Sequence, residues 1–81
     1  MTKVQTLAKL LKAANIQVSD TAEWQSYEDG EVTLSDGIYV QVGRGYLIVN
    51  KWVDNGEAIR HWPTRKDAQQ IISDVREALV A

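Results

Sequence analysis

The chain has 81 residues, which is enough for one folded domain, and its 44% apolar and 25% charged residues are typical of a globular protein. It contains no cysteine, which excludes disulfide bonds, thiolate metal ligands and cysteine nucleophiles. No apolar run approaches the roughly 20 residues that cross a bilayer, and the lysine-containing N-terminus predicts a helix rather than a signal peptide. We therefore expect one cytoplasmic domain over residues 1–81 without membrane contact.

The net charge of −2 conceals an uneven distribution. Residues 19–37 contain no Lys or Arg and carry a charge of −6, whereas residues 44–66 carry +3. Much of the acidity falls in the stretch "YEDGEVTLSDG", residues 27–37. This pattern predicts a domain with one acidic end and one mildly basic end.

The N-terminal segment predicts an amphipathic helix. Thr2 and Gln5 have the spacing of a capping box, and apolar residues then recur with the helical period as far as Ala14. Asn15 is a suitable stop, because asparagine tolerates the left-handed backbone conformation in which helices often end.

A second helix is predicted near the C-terminus. Thr64 follows Pro63 and precedes Asp67 by three residues, which is a pattern typical of a helix N-cap. An apolar stripe then continues from Ala68 to Leu79.

The central part of the chain predicts an antiparallel meander, because Asp-Gly and Asn-Gly pairs favour tight turns between its β-rich runs. The fold class is therefore α+β: an N-terminal helix, a four-stranded sheet with a candidate fifth strand, and a C-terminal helix. We expect both helices to lie on one face of the sheet. Four strands are predicted near residues 31–35, 38–43, 46–53 and 57–62, and the candidate fifth near 23–27.

Strand alternation indicates which side chains share the second face of the sheet. If the aliphatic residues face inward, Ile48 and Lys51 each fall on the unexpected side. Two interpretations of the aromatic residues stay open: they supply core volume, or they form a recognition face. The side chains predicted for the second face are Tyr39, Gln41, Tyr46, Ile48, Asn50, Trp52, Arg60 and Trp62.

The sequence offers little catalytic chemistry. His61 is the only histidine, and no serine, cysteine or second histidine forms a motif around it. The acids of residues 28–31 do not follow the alternating pattern of an EF-hand loop. We therefore expect a protein that is not an enzyme and that holds no cofactor or metal ion.

Three kinds of partner are compatible with the residues. The acidic residues Glu28, Asp29, Glu31 and Asp36 either form a solvated surface or meet a protein with a basic groove. A second hypothesis is a platform for single-stranded nucleic acid. A third is a homodimer joined through the sheet face. The nucleic-acid platform would combine the aromatic residues Tyr46, Trp52 and Trp62 with the bases Arg44, Lys51, Arg60, Arg65 and Lys66. The aromatic and basic residues predicted for partner binding on the sheet face are Tyr39, Tyr46, Trp52, Arg60 and Trp62.

The layout resembles the small anti-CRISPR proteins of phages and mobile elements. The features that carry this resemblance are "YEDGEVTLSDG", "DNGE" and the helix opened by "PTRKDAQQII". The resemblance covers the architecture of the whole chain and no diagnostic motif, so it assigns no functional residue. It implies a non-enzymatic inhibitor in the host cytoplasm that docks on an RNA-guided surveillance complex. Such an inhibitor would block DNA binding or nuclease recruitment.

Overall fold

A computed structural model describes residues 2–24, 29–35, 37–52, 59–65 and 67–80. Within these residues the chain forms a helix, five antiparallel strands in sequential order and a second helix, which confirms the predicted α+β meander. The elements are α1 (Lys3–Ala13), β1 (Asp20–Glu23), β2 (Gly30–Thr33), β3 (Ile38–Gly43), β4 (Tyr46–Trp52), β5 (Ile59–Pro63) and α2 (Ala68–Val80).

The fifth strand is present, but it lies earlier in the chain than predicted. It was expected at residues 23–27, whereas β1 spans Asp20–Glu23 and pairs with β2. Acidic residues have low strand propensity, but at an edge their side chains stay in water while the backbone completes the ladder. Residues 25–28 lie outside the described part of the chain.

The predicted start and end of α1 are confirmed. The Thr2 hydroxyl accepts a hydrogen bond from the Gln5 backbone N–H at 3.1 Å, and the Gln5 side chain accepts one from the Thr2 N–H at 3.0 Å. Just beyond the helix, Asn15 has a φ of 63°, in the left-handed region. The buried residues of α1 are Val4, Leu7, Ala8 and Leu11.

The predicted N-cap of α2 is wrong. Asp67, rather than Thr64, caps this helix, because its carboxylate accepts hydrogen bonds from the N–H groups of Gln69 and Gln70 at 2.8 and 3.3 Å. Thr64 instead donates its N–H to the Leu47 carbonyl at 2.9 Å and so extends the β4–β5 pairing. A residue whose backbone continues the sheet cannot also begin the helix.

Both helices lie on the same face of the sheet, as predicted. A cleft of about 420 Å³ separates them, and its lining includes Leu7 of α1, Ile71 of α2 and Leu47 of β4. Under the helices runs a row of side chains that are paired across four strands and belong to one core. We call this the core row; it consists of Val32, Val40, Val49 and Trp62.

The pairing explains why Lys51 breaks the apolar pattern of β4. Lys51 lies opposite Ile38, which is fully buried, and so shares the helix side of the sheet. Its ammonium group donates a hydrogen bond to the Ala78 carbonyl of α2 at 3.0 Å. A lysine can bury its aliphatic stem in this way while its charged end meets the last turn of a helix.

The predicted placement of Arg60 and Trp62 is also wrong. Trp62 lies opposite Val49 in the core row, and Arg60 lies opposite Lys51, so both fall on the helix side of the sheet. The prediction assumed that Ile59 sets the inward phase of β5. The β4–β5 register sets it instead, and a tryptophan gains more from burial than an isoleucine does.

A pair of neighbouring substitutions tests which face is the core. Val49 is 0% exposed on the helix side, whereas Ile48 is half-buried on the opposite side. We expect Val49→Ala to lower the free energy of unfolding by roughly 2 kcal/mol and Ile48→Ala by about 1 kcal/mol or less. Ile48→Ala removes more carbon atoms than Val49→Ala, so it would cost more if the two side chains were equally buried. Urea unfolding measures both changes, and a larger loss for Ile48→Ala would contradict this assignment of faces.

Candidate functional site

The face of the sheet opposite the helices is uncovered by any element within the described residues. Its members follow from the register: Tyr39 lies opposite Asn50, Gln41 lies opposite Ile48, and Asn50 lies opposite His61. We call this surface the open face. Its described side chains are Asp20, Ala22, Glu31, Thr33, Tyr39, Gln41, Tyr46, Ile48, Asn50, Trp52, His61 and Pro63.

The open face carries carboxylates and no strong cation. Among its described positions, Asp20 and Glu31 are acidic and none is Lys or Arg. The nearest bases on these strands, Lys51 and Arg60, belong to the helix side. The alternation of the strands therefore keeps their described lysine and arginine residues off the open face.

A buried amide organises the middle of the open face. Asn50 is 1% exposed although no helix covers it, because it lies between Tyr39 and His61 in the sheet. Its Nδ2 donates to Gln41 Oε1 and to the Ile48 carbonyl, each at 3.3 Å. The His61 Nδ1 lies 2.6 Å from Asn50 Oδ1. Since that oxygen can only accept, His61 Nδ1 is the donor.

A shallow depression lies on the open face beside this amide. Its volume is about 390 Å³, and Tyr39, Trp52 and Glu31 contribute to its lining together with Thr33 and Gln41. Trp52 is 47% exposed, which is unusual for so large an apolar side chain. A surface that combines exposed aromatic rings with hydrogen-bonding groups is typical of interface centres.

The predicted acidic residues that the structure describes have different surroundings. Asp29 is half-buried, and its carboxylate accepts hydrogen bonds from the Arg44 N–H and the Tyr46 hydroxyl, both at 3.2 Å. It therefore holds the turn between β3 and β4. Glu31 lies on β2, and its carboxylate has no hydrogen bond or ion pair with another described residue. Glu28 and Asp36 lie outside the described part of the chain.

The surroundings of Asp29 alter the acidity of Tyr46. Burial raises the pKa of the Tyr46 phenol above its usual 10.0, and the hydrogen bond to Asp29 and its negative charge raise it further. Gly43 makes this contact possible, because a Cβ built there would overlap Asp29 Oδ1 and the Tyr46 ring. The three residues form a compact support at one end of the open face.

The structure unites three of the five predicted aromatic and basic residues on the open face. Tyr39, Tyr46 and Trp52 lie there, whereas Arg60 and Trp62 do not. Sequence reasoning missed the pairing of His61 with Asn50 as part of this surface. An asparagine within a β-branched run was the available signal, since a buried amide needs hydrogen-bond partners.

Within the described residues, no three His, Asp or Glu side chains come together in a way that could hold a metal ion. In the same residues, neither helix is long and apolar enough to cross a membrane.

Comparisons with known proteins add no family to this picture. No protein-family model, curated protein or solved structure matches the chain.

The Tyr46–Asp29 contact predicts a specific alkaline behaviour. Because the folded state raises the Tyr46 pKa, its contribution to stability is fully present below about pH 10 and is lost as the pH rises through the raised pKa. We expect Asp29→Asn to lower the Tyr46 pKa toward 10.0, since the charge is removed while burial remains. Tyrosinate absorbance during alkaline titration measures this change.

Two control variants make the titration specific. Tyr46→Phe should remove the late-titrating component, and Asp20→Asn, with the same charge change elsewhere on the open face, should leave it in place. An Asp29→Asn variant whose late component is unchanged would contradict the assigned cause.

Proposed function

We propose that this protein is a non-enzymatic binding protein that docks through its open face on a basic surface of a protein partner. The observation that carries the proposal is the composition of that face. It presents Tyr39, Trp52 and the carboxylate of Glu31, while its described positions include no Lys or Arg. A surface of this kind is complementary to one that is rich in arginine or lysine.

The scaffold favours docking by a preformed surface. The open face is part of a five-stranded sheet whose core row contains three buried valines and the half-buried Trp62, and Asn50 ties strands β3, β4 and β5 together through its side chain. Rigid side chains lose less conformational freedom on binding than mobile ones, so more of the contact energy appears as affinity.

Direct binding of nucleic acid is the weaker alternative. That hypothesis needs basic and aromatic side chains on one surface, so that phosphates are neutralised while bases stack. The register instead puts Arg60 and Trp62 on the helix side, away from Tyr39 and Trp52. The aromatic residues that remain on the open face have acidic neighbours, which repel a phosphate backbone.

A homodimer through the open face is also less favourable. A two-fold interface brings the same patch of each subunit together. Asp20 and Glu31 of one copy would then share an interface with the same acids of the other, and the described part of the face supplies no Lys or Arg to compensate.

The resemblance to anti-CRISPR proteins suggests a class of partner. An RNA-guided surveillance complex holds nucleic acid in a channel lined by basic residues. An acidic, aromatic face of this size can occupy part of such a channel and compete with DNA. We propose this inhibitory role for the protein, and its support is the charge and shape of the open face.

The test measures DNA binding by a panel of purified RNA-guided surveillance complexes in a gel-shift assay. We expect the wild-type protein to displace target DNA from at least one complex, with less effect at higher salt because charged surfaces are screened. Glu31→Lys should weaken inhibition by about tenfold or more, since it places a cation against a basic surface.

A matched control uses the same charge change on the other side of the molecule. Glu77 is exposed on α2, so Glu77→Lys should inhibit like the wild type. Inhibition that is retained by Glu31→Lys and lost in Glu77→Lys would show that the helices, and not the open face, form the docking surface. A panel in which no complex responds would reject the inhibitory role.

A separate measurement addresses nucleic acid directly. We expect fluorescence anisotropy with a labelled single-stranded DNA to show no binding at physiological salt, because the described open face has no Lys or Arg. Binding that is lost in Trp52→Ala and weakened by salt would favour the nucleic-acid hypothesis instead.

A further inference from the structure

We infer that the depression on the open face is a receptor site for a single arginine side chain of the protein partner. This inference rests on the proposed function and specifies how the docking begins. The site consists of the aromatic rings of Tyr39 and Trp52, the carboxylate of Glu31, and Thr33 and Gln41 between them.

The two aromatic rings come from adjacent strands. Tyr39 on β3 lies opposite Asn50 on β4, and Trp52 follows Asn50 by two residues on the same face. Diagonal neighbours of this kind are within reach of each other when the side chains are aromatic. The faces of such rings are electron-rich and attract a cation that lies over them.

Trp52 is held in position by the turn before β3. Its backbone N–H donates to the Gly37 carbonyl at 3.3 Å, and a Cβ built on Gly37 would stand 3.6 Å from the Trp52 Cβ. The backbone of Trp52 is therefore fixed at this point, while 47% of the residue stays exposed. An indole exposed to this extent presents a surface for stacking.

Glu31 supplies the negative charge. It lies opposite Gln41 in the sheet, it lines the depression, and its carboxylate has no hydrogen bond or ion pair with another described residue. The Gln41 Oε1 already accepts from Asn50, so the amide at the floor of the site is fixed. The carboxylate of Glu31 is the group that a cationic ligand would meet.

The combination favours a guanidinium group over an ammonium group. A guanidinium is planar, stacks on aromatic rings and forms paired hydrogen bonds with a carboxylate. It is also less strongly hydrated than an ammonium, so it loses less on entering a partly apolar depression. Arginine is therefore the basic residue that matches two rings and one carboxylate.

The experiment titrates the 81-residue chain with three acetylated and amidated tripeptides, Gly-Arg-Gly, Gly-Lys-Gly and Gly-citrulline-Gly. Citrulline has the shape of arginine without its charge. Nuclear magnetic resonance follows the indole N–H of Trp52, which is assigned from the spectrum of Trp52→Phe. We expect the arginine peptide to shift this signal with saturation, and the lysine and citrulline peptides to bind at least several-fold more weakly.

A pair of isosteric variants tests the carboxylate. Glu31→Gln should weaken the arginine response by about three- to tenfold, since it removes one charge-assisted contact. Glu23→Gln makes the same change at an exposed position on β1, opposite Gly30 and on the helix side of the sheet, and should leave the response unchanged. The amide spectrum of each variant verifies that the fold is retained.

Several results would overturn the inference. These are equal responses to arginine and citrulline, equal responses to arginine and lysine, no response, or an arginine response that Glu31→Gln does not weaken. Its failure can be distinguished from failure of the proposed function. If the wild-type protein shows no arginine response but Glu31→Lys still loses inhibition, the docking face is supported and the arginine site is ruled out.

Discussion

A single row of side chains determines what the rest of the molecule can present. Val32, Val40, Val49 and Trp62 lie opposite one another across β2 to β5 and are covered by the helices. Because side chains alternate along a strand, this row also determines which residues emerge on the opposite face. A slip of one residue in any pairing would exchange core and surface.

Within the described residues, the two helices leave one face of the sheet uncovered. Two helices of 11 and 13 residues both pack on the same side of a five-stranded sheet, and the described chain has no third helix to cover the other. That uncovered face is not a neutral surface. It collects Tyr39, Trp52 and Glu31, while Lys51 and Arg60 are kept on the helix side.

Side-chain hydrogen bonds also connect the strands across the open face. Asn50 is buried there and uses its amide to join β3 and β5 through Gln41 and His61. A buried amide with its hydrogen bonds satisfied restricts its neighbours to one arrangement, whereas an aliphatic residue would not. The depression between Tyr39 and Trp52 therefore lies beside residues that are held by hydrogen bonds, which lowers the entropic cost of binding a ligand.

Local features of the sequence determined the element types, the antiparallel order of the strands, the capping box of α1 and its end at Asn15, because each depends on residues a few positions apart. They also identified the aromatic residues of β3 and β4 on a common face. The phase of β5 and the role of Asp29 were decided only in the tertiary structure. One aliphatic residue cannot set the phase of an edge strand, and Asp29 finds its partners 15 and 17 residues away. Alternation and capping act within a segment, whereas strand register and carboxylate pairing depend on which distant segments meet when the core is buried.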